Sequence, residues 1–167
     1  QFVFLVGLKK CVAQAKQDGI QVSAGVTPHH LFLTNQDSAT MKPPLATQAD
    51  QDALWQGIAD ETIDLIETDH APHTPEEKAN GAFGIPGLET ALGLMGLALH
   101  DQRIELRDVI KLMHLNPKRI FNIPDQNTFI EVDFEKPYTV DAKHFASKAK
   151  WSPFDGWILY GTILRSK

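Results

Sequence analysis

Apolar residues recur along this chain in two rhythms, one with the period of a strand and one with that of a helix. Residues 2–6, a run of phenylalanine, valine and leucine, predict a buried strand. Leu8, Cys11, Val12 and Ala15 then fall at helical spacing, and Asp18-Gly19 provides a glycine stop. Ile20, Val22, Ala24 and Val26 alternate with Gln21, Ser23 and Gly25, which predicts a second strand running out into a loop, Thr27-Pro28-His29-His30. Residues 50–61 carry Leu54, Trp55 and Ile58 on one side, the mark of a short amphipathic helix. A third predicted strand, 63–68, empties into a loop with Asp69, His70 and His73. A helical run from Glu76 breaks at Gly81, and residues 84–87 are a turn-rich link. Leu88, Leu92, Met95 and Leu99 mark the strongest helix and its expected core face. Leu106, Val109, Ile110 and Met113 mark another, and Asn116-Pro117 opens a last helical turn. Beyond Pro124 the helical rhythm ends, and residues 129–134 and 157–163 predict strands.

Three strand-then-helix units in succession argue for an α/β fold with parallel strands and helical crossovers. They are too few to close an eight-stranded barrel, so the pattern fits either a small open sheet or the second half of a barrel. The start of the chain within an apolar run leads us to expect a piece of something longer. An open half-barrel would expose strand edges and apolar surface, so dimers or pairing with a missing half are expected.

With 167 residues, 43% of them hydrophobic and 22% charged, the chain has the makings of an ordinary soluble globular domain. Its formal charge of -5, with no basic cluster, argues against nucleic acid as a partner. No run approaches the roughly 18 apolar residues of a membrane span, and the opening residues lack a signal-peptide pattern. A cytoplasmic location is the expectation. Cys11 stands alone, which excludes a disulfide framework and a cysteine-based zinc site and suggests a packed core thiol.

The candidate chemistry sits after the third predicted strand. Asp69 offers a hard oxygen, and His70 and His73 offer bases near neutral pH, a set suited to metal binding or proton transfer. The plainer alternative is a helix cap followed by surface histidines. His29 and His30, if extended, point opposite ways, so at most one faces a site and both are expected to pack or support. Lys42 lies in a stiff extended stretch, and its ammonium is a competent partner for an anion. Gly84 permits close approach of backbone to a ligand. Glu76, Glu77 and Lys78 have the pattern of a solvated helical face with local ion pairs.

These motifs resemble, in order, those of dihydroorotases, the cyclic amidohydrolases of pyrimidine synthesis. Residues 68–78, Thr-Asp-His-Ala-Pro-His-Thr-Pro-Glu-Glu-Lys, resemble the motif near the last barrel strand of that family. Residues 26–34 and 41–45 resemble two further motifs, 83–92 the glycine link, and 116–121 a later signature. Residues 151–156 are similar to the region where the family's chain returns to a small β domain. The resemblance implies the C-terminal portion of a (β/α)8 TIM barrel, about three β/α units over residues 1–124. A tail, 125–167, would return to an accessory β domain. It implies a zinc enzyme that interconverts N-carbamoyl-L-aspartate and dihydroorotate, with most metal ligands upstream of residue 1. Asp69 would then be a metal ligand and the catalytic proton shuttle, while His73, Lys42 and Gly84 would bind substrate.

The family commonly has a metal-binding histidine near the position of Phe2, asparagine at that of Lys42 and arginine at that of Ala46. These departures bring in a second reading, a non-catalytic dihydroorotase-like module that assembles with a partner such as aspartate transcarbamoylase. A third is another cyclic amidohydrolase, of hydantoinase or allantoinase type, against which the Asp-His-Ala-Pro-His pattern of 69–73 speaks. A homodimer is the expected assembly. The fragment alone is expected to be inactive.

Overall fold

The computed structural model describes residues 6–166, with side chains from Lys9 onward. The described residues form two units, the first made of 6–37, 43–67 and 106–123, the second of 38–42, 68–105 and 124–166. Each has an apolar core of its own.

In the first unit, helix α1 spans Val6–Gln17. Val6 therefore opens a helix rather than closing a strand, and residues 2–5 of that predicted strand lie outside the described residues. The predicted glycine stop is in place: Gly19 has φ +75° and the Ile20 amide donates to the Ala15 carbonyl at 2.9 Å. Strand β1, Gly25–Val26, and strand β2, Leu65–Ile66, pair in parallel with Val26 opposite Ile66. The parallel pairing agrees with the strand-helix-strand pattern. Both strands are shorter than their alternation predicts, and Ile20 is exposed.

Between them run α2, Pro28–Phe32, and α3, Gln48–Ala59. Thr47 and Asp50 form a reciprocal capping box that starts α3, whose Leu54 and Ile58 are buried. Trp55 is half-buried and donates its indole N–H to the Leu31 carbonyl at 3.0 Å. Lys16 reaches from α1 to the Asp64 carboxylate at 2.8 Å, and that carboxylate also accepts the Ala24 amide at 2.8 Å. This one aspartate thus ties the approach to β1 to the approach to β2. The unit closes with α6, Leu106–Ile110, a π-helical turn, Lys111–Leu115, and α7, Asn116–Ile120. Val109 and Leu112 face inward, while Leu106 and Ile110 of the predicted apolar face are exposed.

Cys11 is exposed, which corrects its expected place in a core. Helical spacing fixes which residues share a face but not whether anything covers it.

In the second unit, α4, Pro75–Ala79, stops just before Gly81 as the sequence predicts, and α5, Leu88–His100, packs on strand β4, Ile158–Ser166. Strand β3, Ile130–Thr139, pairs with β4 antiparallel, with irregularities after Glu131 and Asp133. The buried face of α5 is Ala91, Leu94, Met95 and Ala98; Leu88 is exposed, and Leu92 and Leu99 are half-buried. The expected core face is thus rotated, because Gly93 and Gly96 turn toward the hairpin. A side chain at Gly93 would meet the Tyr138 hydroxyl, and one at Gly96 the Tyr160 carbonyl, both at 2.1 Å. Close backbone packing, more than the leucine spacing, orients this helix.

Candidate functional site

The loop that follows β2 in the chain carries Thr68 and Asp69. Asp69 is half-buried and holds φ +44°, a left-handed backbone that aspartate tolerates better than most residues. His70 next makes a parallel bridge to Ile85. Its Nδ1 accepts the Leu88 amide at 3.1 Å. Gly87, at the start of α5, provides no side-chain cap, so His70 satisfies one of the helix's orphan N–H groups from outside. Its job here is structural, and a neutral ring then carries its proton on Nε2.

Ala71 donates its amide to the Ile85 carbonyl at 2.9 Å, and the His73 amide turns back to the Ala71 carbonyl at 2.9 Å. Gly84 faces Ala71 with φ +108°; a β-carbon there would sit 2.4 Å from the Ala71 methyl. No other residue type fits this turn without displacing the loop. His73 faces Glu77 one helical turn on, Nδ1 to carboxylate 3.4 Å, with both side chains well exposed. Thr74 and Glu77 cap α4 reciprocally. The Thr74 amide, with a smaller contribution from His73, holds the Glu77 carboxyl below its usual range. The His73 carbonyl accepts the Trp151 indole N–H at 2.7 Å.

Lys42 is exposed, and its ammonium stands 4.0 Å from the centre of the Phe83 ring. The ring's negative face gives that cation a fixed seat without neutralising it. The Gly84 amide donates to the Thr40 carbonyl at 3.1 Å. Four of the sequence-selected segments are therefore joined in one unit: the stretch ending at Lys42, the Asp69–His73 loop, the Phe83–Gly84 turn and the tail at Trp151.

Lys78 joins two of these segments, the stretch ending at Lys42 and the Phe83–Gly84 turn, and the sequence pattern missed it. Its ammonium donates to the carbonyls of Thr40 at 2.6 Å, Ala82 at 2.9 Å and Gly84 at 2.8 Å. Burial lowers its pKa below the usual lysine value. The expectation of a solvated helical face at this position is corrected: two of its three acceptors lie beyond the end of α4, and the third is 38 residues back in the chain.

His29 and His30, in the first unit, also differ from expectation. They lie on the helical turn α2, started by Thr27 as cap and Pro28 at its first position, rather than on an extended chain. Both are buried, with ring centroids 4.6 Å apart. His30 Nδ1 lies 2.7 Å from the Thr27 hydroxyl, whereas His29 Nδ1 meets no hydrogen-bond partner among the described residues. Burial, and then the neighbouring His30, push the His29 pKa down to about 3. It is neutral in the folded chain, while the unfolded chain takes up its proton near pH 6.5. More protons are then bound by the unfolded state, so stability falls as pH drops from about 6.5 toward 3, by at most about 1.4 kcal/mol per pH unit. Urea midpoints between pH 7 and 4 measure this slope. His29→Gln flattens it, and an unchanged slope would count against the assignment.

Among the described residues, no group of three or more histidine, cysteine, aspartate or glutamate side chains is gathered as a metal ion requires. None of the described helices is long and apolar enough to cross a membrane.

With this geometry in view, the comparisons with known proteins decide the relationship. No family model matches the chain. The multifunctional protein pyr1-3 of Dictyostelium discoideum is 43% identical over 164 residues, which cover 92% of this chain and 7% of that protein. The dihydroorotase of Pyrococcus abyssi is 41% identical over 155 residues, 86% of this chain and 38% of that enzyme. The chain is a homologue of dihydroorotases. It spans well under half the length of these curated relatives. The inactive dihydroorotase-like domain of a CAD-like multifunctional protein from Chaetomium thermophilum superposes with TM-score 0.81 at 28% identity, over 98% of this chain and 47% of that one. Dihydroorotase homology runs through the segments that the geometry joins, since the matched residues take in most of the chain.

Proposed function

We propose that this chain is the C-terminal portion of a dihydroorotase-type hydrolase, with residues 1–124 as part of a (β/α)8 barrel and 125–167 returning to an accessory β domain. The longer protein interconverts N-carbamoyl-L-aspartate and dihydroorotate. The observation that carries this reading is the 41% identity to a dihydroorotase over 86% of the chain.

In this reading the Asp69 carboxylate takes the proton of the attacking water and returns it to the ring nitrogen that leaves. Lys42, seated on Phe83, and His73 bind the substrate carboxylate. The turn at Gly84, whose amide is bonded to Thr40 and whose carbonyl is bonded to Lys78, brings the backbone of Phe83 to the substrate's amide edge. A zinc ion needs three or four protein ligands, and the described residues gather no group of three, so they do not hold one by themselves. Asp69 is one candidate ligand, the others lying outside these residues. The 167 residues alone are inactive. Assembly as a homodimer or within a multifunctional complex, aspartate transcarbamoylase included, belongs to the same proposal.

The inactive Chaetomium domain, together with Lys42 and Ala46, favours a second reading, a non-catalytic module. One experiment separates the readings. The full-length polypeptide is purified, its zinc is quantified, and turnover of dihydroorotate is compared with that of hydantoin and allantoin. Bound zinc and dihydroorotate turnover are expected. Absence of both establishes the module, and preference for hydantoin or allantoin overturns the substrate assignment.

A further inference from the structure

A lysine ammonium has three N–H donors that spread from one nitrogen, and at Lys78 all three are taken by backbone carbonyls. No carboxylate lies within ion-pair distance of it among the described residues. Its cation instead faces three carbonyl dipoles, with the Trp151 ring centre 5.7 Å away. The three acceptors belong to different parts of the candidate site. Thr40 is two residues before Lys42, while Ala82 and Gly84 flank Phe83, the ring on which Lys42 rests. Trp151 in turn holds the His73 carbonyl. A compact ammonium spreads its three donors in separate directions from one nitrogen, whereas arginine's donors are confined to the plane of its guanidinium.

We propose that Lys78 is a positioning residue, its ammonium gathering the Thr40, Ala82 and Gly84 carbonyls so that Lys42 and the Phe83–Gly84 turn are held ready for an anionic substrate. This rests on the dihydroorotase reading for the identity of that substrate but not for the clamp itself. Removing the ammonium frees the two segments to move apart, which weakens substrate capture more than the chemical step.

The test uses Lys78→Met in the full-length polypeptide, with Lys78→Arg as a second variant should the first fail to fold. Two quantities are read: exchange of the Gly84 amide hydrogen, which is bonded to Thr40, and the KM and kcat for dihydroorotate. The expected result is exchange at Gly84 faster by about tenfold or more, a KM raised by about tenfold, and kcat within about threefold of the parent. Arginine shifts both readouts in the same direction by a smaller factor. Unchanged exchange at Gly84 overturns the clamp, and a loss confined to kcat overturns the positioning role. A parent protein without dihydroorotate turnover removes dihydroorotate as the substrate, and amide exchange then judges the clamp by itself.

Discussion

In the full-length polypeptide, Asp69→Asn lowers kcat for dihydroorotate by about 10²–10⁴, the range expected when a positioned proton-transfer group is removed. Asparagine is the informative replacement because Asp69 occupies φ +44°. Asparagine visits this left-handed region about as readily as aspartate, so the loop keeps its path. Alanine would lose the same carboxylate but add backbone strain of about 1–3 kcal/mol, and its effect could not be assigned to chemistry. Asparagine keeps the size and one oxygen acceptor; it loses the charge, the ability to take a proton and the carboxylate's strength as a candidate metal ligand, so the metal content of the variant is measured beside its kcat. The unfolding temperature should therefore stay within a few degrees of the parent while turnover collapses. Steady-state kinetics alongside a thermal melt read the two effects separately. A variant that keeps kcat within about threefold removes Asp69 from the chemistry, and with it the central residue of the proposed mechanism.

Helices were legible wherever their signals were local. The helix predicted from Leu88 and the stop at Gly81 are both present, because apolar period and glycine placement act over a few residues. The turn bearing His29 and His30 is a loop in the sequence reading and a helix in the structure, where Thr27 as cap and Pro28 at the first position start it. Pairing was harder to see. Strands β1 and β2 come out at two residues each because their length depends on which neighbours supply hydrogen bonds, and alternation does not name those neighbours.

The candidate site divides in the same way. Asp69 and His73 stood out by residue type and by position after an apolar run. Lys78 did not, because its function depends on the Thr40 carbonyl and on the turn at Ala82 and Gly84, neither of which has a side-chain signature. A lysine on a short helix beside two glutamates has the composition of a solvated face whether or not carbonyls wait beyond the helix end. His70 falls between: its imidazole was visible, but the amide it accepts belongs to Leu88, 18 residues on.

Gly96→Ala sets two effects of opposite sign against each other. Within a helix, exchanging glycine for alanine stabilises by about 0.5–1 kcal/mol, because the unfolded chain loses freedom and the helix gains a better former. At Gly96 the added β-carbon would stand 2.1 Å from the Tyr160 carbonyl oxygen and 2.5 Å from its carbon. Those are backbone atoms of β4, in a strand paired with β3 opposite Pro137, so they cannot swing aside as the end of a side chain would. The helix or the hairpin must move by roughly an ångström, and overpacking of this kind costs about 1–3 kcal/mol, occasionally more. Movement at Tyr160 also disturbs its ring, stacked 4.2 Å from that of His100 at the end of α5. With obstruction by backbone on one side and a modest helical gain on the other, the upper part of that range applies, and a net destabilisation of about 2 kcal/mol is expected. A urea titration reads it as a lower midpoint at unchanged slope. A midpoint that rises would mean that intrinsic helix preference governs this position and that the glycine stripe does not set how α5 sits on the hairpin.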